Sequence, residues 1–102
     1  MSVLYITEFT GLGRDGNGVW TDFAAQLPLA EQEITLSGTT AQSSALNAST
    51  SLVRLHTDVI CSVIFGTNPT ATTAKMRMAA GQTEYFTVPP GQGVKVAGIV
   101  NT

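Results

Sequence analysis

The chain has 102 residues, with five Lys and Arg against seven Asp and Glu and a formal net charge of −2. That length suits one domain with one modest core, and so few cations, scattered along the sequence, exclude the clustered basic footprint of a nucleic-acid-binding protein. Charged residues make up 12% and hydrophobic residues 43%, so Thr, Ser, Gln, Asn and Gly fill the remainder, which excludes a highly charged disordered tail.

The hydrophobic period is two. Val3 to Phe9 (VLYITEF) is β-branched and aromatic, and this strand runs into a glycine-rich loop, Gly11 to Gly18. At its end, Glu8-Phe9 reads as ordinary strand with the polar residue outward. Thr21 to Gln26 fits one helical turn capped by Thr21, and Pro28 forbids anything longer. Residues 19–33 carry Trp20, Phe23, Leu27, Pro28 and Leu29 with neither alternation nor helical spacing. They read either as a long connection over the end of the domain's own core or as an interface arm that packs on a neighbouring subunit. Glu33 to Ser37 alternates, with Ile34 and Leu36 on one face. Thr40 to Ala45 is a weaker strand candidate, and the Thr- and Ser-rich stretch Thr39 to Ser51 could lie extended against another chain.

Leu52 to Thr57 sets Val53, Leu55 and Thr57 opposite Leu52, Arg54 and His56. Val59 to Phe65 is apolar on both faces, as a central or doubly covered strand would be, and Gly66-Thr67-Asn68-Pro69 ends it. Met76 to Ala79 reads as a short strand with Lys75 and Arg77 outward and Met76 and Met78 inward. Gly81-Gln82 looks like a hairpin turn into Thr83 to Val88. Pro89-Pro90-Gly91 closes that strand, and Val94 to Val100 is the last. Seven or eight short strands with turns between them predict an all-β chain, a single antiparallel β-sandwich or barrel over residues 1–102.

Chemistry-bearing motifs are sparse. Gly11, Gly13 and Gly16 match a G-x-G-x-x-G string, but no helix-forming run follows to present its N-terminus to a phosphate. Asp15-Gly16-Asn17-Gly18 lacks the further carboxylates of a calcium loop. His56-Thr57-Asp58 lies near Cys61, yet on a strand His56 and Asp58 share a face that Cys61 does not. Cys61 in its apolar run reads as a small buried hydrophobe. Being single, it also excludes an intramolecular disulfide or a cysteine-rich zinc site. Glu31 and Glu33 can share a strand face, but Trp20 is the one tryptophan and aromatics are 7%, thin for a sugar platform.

The longest apolar run is too short for a membrane helix. Met1-Ser2-Val3-Leu4-Tyr5 lacks a basic signal-peptide n-region, so the chain is expected to fold in a cytosol. Asn47-Ala48-Ser49 then fits the glycosylation sequon by chance. No catalytic, cofactor or metal residue is assigned.

Four segments together resemble a family of small structural proteins of tailed bacteriophages: YITEFTGLGRDGNG (Tyr5 to Gly18), LPLAEQ (Leu27 to Gln32), VRLHTDVICSVIFGTNPTAT (Val53 to Thr72) and MRMAAGQTEYFTVPPGQGVKVAGI (Met76 to Ile99). The resemblance covers most of the chain and carries no catalytic motif. It implies a non-enzymatic virion protein, a capsid decoration or cement protein on the capsid surface, assembled in the host cytoplasm. It also implies a jelly-roll-like sandwich, a homotrimer, and the major capsid protein as partner, with no nucleic acid, membrane or cofactor. The low charge fraction suits surfaces desolvated on assembly. The interface candidates are Trp20, Phe23, Leu27, Pro28 and Leu29, with Trp20 as first anchor. Two alternatives stay open: a tail- or fibre-associated receptor- or sugar-binding module, and a small hydrolase using Cys61 and His56.

Overall fold

The computed structural model describes residues 2–14, 20–24 and 28–101, and the side chains of residues 2–11 and 28–101. Ten strands and no helix occur among them: β1 (Val3–Phe9), β2 (Leu12–Arg14), β3 (Trp20–Ala24), β4 (Ala30–Thr35), β5 (Ala41–Gln42), β6 (Leu52–Thr57), β7 (Cys61–Gly66), β8 (Met76–Met78), β9 (Thr83–Thr87) and β10 (Lys95–Val100). They form two four-stranded sheets, ordered β4-β1-β6-β9 and β5-β10-β7-β8, and a two-stranded ribbon, β2-β3. Every pairing is antiparallel.

Alternation along the strands makes the core. Leu4 and Ile6 of β1, Ile34 of β4, and Val53 and Leu55 of β6 point from one sheet toward Cys61, Val63, Met78 and Val96 of the other, in one buried cluster. Phe65 and Phe86 close it from opposite sheets, with ring centroids 5.2 Å apart. Fully burying aliphatic side chains of this size contributes about 1.5–3 kcal/mol each, so the architecture is all-β and sandwich-like, two sheets on one core. The outer face of the second sheet is also covered. Ser62, opposite Cys61, is fully buried, and its hydroxyl accepts a 2.7 Å bond from the Asn101 amide, which also donates to Thr73 O. Buried Pro69 and Ala71 hold the same loop down, with Ala71 N–H on Thr40 Oγ1 and Gln42 Nε2 on Pro69 O, both at 2.8 Å. The doubly apolar strand is thus interior and covered on both faces.

Several expectations are corrected. Gly81 has φ +77, and Gln82 N–H donates to Ala79 O, so the turn exists. It does not make a hairpin, because β8 and β9 belong to different sheets; Gly81 N–H and Gln82 O pair instead with Thr57. Met78 is buried, but Met76 is 42% exposed, because β8 is a short strand at the edge of its sheet. Trp20–Ala24 is a strand, not a helical turn: its β-branched and aromatic residues favour extended backbone, and pairing with β2 satisfies that backbone. Of the glycine loop, Leu12–Arg14 is strand, and residues 15–19 lie outside the described residues.

Thr40 to Ala45 reduces to the two-residue β5. The stretch that follows is held by its own chain, with Ser43 N–H on Val96 O at 2.7 Å and Leu46 N–H on Val94 O at 2.8 Å.

Gly98 lies inward on β10, where an added Cβ would come within 2.7 Å of Leu36 Cδ2 and 3.5 Å of Leu4 Cδ2. Strand propensity alone would make Gly98→Val stabilising. Overpacking opposes this, and we expect a net loss of about 1–3 kcal/mol, seen as a lower urea midpoint with unchanged slope. A midpoint that rises would show that the core has slack here.

Candidate functional site

The sequence-predicted interface residues fall in the segment between the end of β1 and the start of β4. Trp20 and Phe23 occupy positions on β3, Leu27 lies outside the described residues, and Pro28 and Leu29 are exposed, Leu29 by 38%. The β2-β3 ribbon pairs Leu12 with Ala24 and Arg14 with Trp20, with an irregularity between, and among the described residues is hydrogen-bonded to neither four-stranded sheet. The chain leaves β1 through Gly11, whose φ of +150 disfavours other residues. There the Ser51 hydroxyl donates to Thr10 O. Leu29 N–H then donates to Glu8 O at 2.8 Å and restarts the ladder.

Glu8 anchors this junction, and the sequence reading placed it wrongly. It shares the parity of Leu4 and Ile6, so it points inward and is 1% exposed. One carboxylate oxygen accepts Asn47 N–H at 2.7 Å and the Thr50 hydroxyl at 2.9 Å. The other accepts Gln32 Nε2 at 3.0 Å, and Gln32 Oε1 in turn accepts Ser44 N–H at 2.9 Å. A buried carboxylate is tolerated only when its lone pairs are engaged in this way. Period-two parity was the signal that could have found it.

The outer face of the first sheet presents polar residues in rows. Register places Glu33, Tyr5, His56 and Thr83 side by side, and next to them Glu31, Thr7, Arg54 and Tyr85. A hollow of about 490 Å³ opens over the β4-β1-β6 part of this face, walled by Tyr5, Thr7, Glu31, Glu33 and Arg54. Tyr5 is 36% and Tyr85 53% exposed. His56 is held by a 2.7 Å bond between Nδ1 and Thr83 Oγ1, with its ring centroid 6.3 Å from that of Tyr5. The sequence did place Glu31 and Glu33 on one face. It missed the hollow, because Tyr5 and Arg54 join them only through cross-strand pairing.

Cys61 and His56 are not brought together. His56 is on the outer face of the first sheet, whereas Cys61 is fully buried in the core between the sheets. The Cys61 thiol donates to Thr57 Oγ1 at 3.4 Å. Burial pushes its pKa up, against the smaller opposing effect of that bond. Among the described residues no group of three His, Cys, Asp or Glu could hold a metal ion. No protein-family model matches the sequence, and comparison with curated proteins and with solved structures gave no match.

Two outcomes are expected. Glu8→Leu leaves the Asn47 N–H, the Thr50 hydroxyl and the Gln32 amide without their acceptor. It should cost at least about 2 kcal/mol by urea denaturation; a neutral result would show that these donors re-pair. Native Cys61 should react with a disulfide reagent at pH 8 far more slowly than the urea-unfolded chain does. Equal rates would place the thiol in an accessible, activated setting.

Proposed function

We propose that this chain is a non-enzymatic structural protein of a bacteriophage virion, a capsid decoration or cement protein. It associates with copies of itself as a trimer and with the major capsid protein on the capsid surface. The observation that carries the reading is the β2-β3 ribbon, inserted between the neighbouring strands β1 and β4 yet, among the described residues, hydrogen-bonded to neither four-stranded sheet. A lone two-stranded ribbon is marginal in water. Its sequence carries Trp20 and Phe23, and large aromatics of this kind dominate interface energetics. Pro28 and Leu29, which follow the ribbon in sequence, are exposed. Many copies on a lattice turn modest contacts into firm attachment by avidity. The resemblance of most of the sequence to small phage structural proteins supports the virion setting.

The finer fold reading is a jelly roll, and strand order supports it. The pairs β7-β8, β6-β9, β5-β10 and β4-β1 succeed one another as the two arms of one long antiparallel ribbon would. Wrapping such a ribbon round a core gives the two four-stranded sheets of a jelly roll. In this chain the ribbon is open between β10 and β1, and β1 joins β4 through β2-β3.

Trp20→Ala should keep the β circular-dichroism spectrum while lowering affinity for capsids stripped of the protein by roughly tenfold or more, read by co-sedimentation. Undiminished capsid binding and an unchanged oligomer would remove the arm from the interface.

A further inference from the structure

We propose that the hollow on the outer face of the β4-β1-β6-β9 sheet is a binding site for a neutral saccharide. The inference does not rest on the virion reading, and it uses a different surface from the β2-β3 ribbon.

The lining decides the ligand class. Glu31 and Glu33 stand two residues apart on β4 and present exposed carboxylates. Arg54, across Thr7, supplies the opposite charge within the same hollow. Two carboxylates repel an anion, and a guanidinium in the same small space disfavours a cation. A neutral ligand rich in hydroxyls satisfies both signs: carboxylate oxygens accept its O–H groups, and the guanidinium donates to its oxygens.

Tyr5 adds an exposed ring beside Glu33, and on β9, outside the hollow's lining, Tyr85 presents a second exposed ring across from Arg54. Such rings offer flat apolar surface with a polar tip, a match for the apolar C–H face of a pyranose. The volume of about 490 Å³ lies within the range of small-molecule sites and leaves room for one or two sugar rings. The floor is firm as well, since β1 is paired on both sides and its Leu4 and Ile6 are fully buried beneath. His56, tied to Thr83, stands beside the Tyr5 ring on the side away from Glu33, with ring centroids 6.3 Å apart.

The test is saturation-transfer NMR on the full chain with maltotriose, cellotriose, chitotriose and mannotriose, each titrated to about 10 mM, and with trilysine as a cationic probe. At least one trisaccharide should give saturable transfer. Tyr5→Ala and Arg54→Ala, each checked for an unchanged β spectrum, should weaken it by roughly tenfold. Glu33→Gln, which keeps size and an acceptor, should weaken it less. Arg77→Ala, on the other sheet, should leave it unchanged. The proposal is overturned if none of the four sugars binds, if binding persists equally in folded Tyr5 and Arg54 variants, or if trilysine alone binds.

Discussion

β1 carries three inward side chains, Leu4, Ile6 and Glu8, and much of the molecule is arranged by what each of them needs. Leu4 and Ile6 require apolar cover, which Ile34, Val53 and Leu55 give within the sheet and Val63 and Val96 give from across it. Glu8, one step further along, requires donors instead. It obtains them from Gln32 on β4 and from Asn47 and Thr50 in the connection between β5 and β6. An unpaired carboxylate at that depth would cost several kcal/mol. The constraint therefore pins the long 43–50 segment against the sheet end and defines where the β2-β3 ribbon leaves the body.

On the other face of β1, Val3 and Phe9 at the two ends are buried, and Tyr5 and Thr7 between them are left for display. Tyr5 and Thr7 sit between two neighbours on that outer surface, and the ladder brings Glu31, Glu33, Arg54 and His56 beside them. The two sheets differ in this respect. The second has its outer face covered by the loop through Pro69 and Ala71 and by Asn101, while the first presents a polar, hollowed surface. One strand thus joins a core, a junction from which the ribbon departs, and a hollowed polar surface.

Local sequence made much of this legible. Val3 to Phe9 and Leu52 to Thr57 are strands over the residues that period two indicates, and of the doubly apolar Val59 to Phe65 stretch Cys61 to Phe65 lies inside its sheet, while Val59 and Ile60 precede the strand. What stayed hidden depends on pairing between distant segments. Gly81-Gln82 has turn chemistry, but whether a turn closes a hairpin or hands the chain to another sheet is set by where Thr57 lies. Met76 keeps inward parity yet is exposed, because a strand at an edge can outrun its cover. Glu8 was readable from parity with Leu4 and Ile6, and its charge argued misleadingly for solvent. The hollow could not be read from any one segment, since its walls come from three strands.

The central claim is that this molecule works by joining copies of itself to a viral shell. Mass and copy-number determination on intact, purified particles tests it most directly. The account predicts that the chain is present in multiples that follow the capsid lattice, and that it is released as trimers when the shell is gently dissociated. Particles that lack it, with the chain recovered only as a free monomer, would contradict the account.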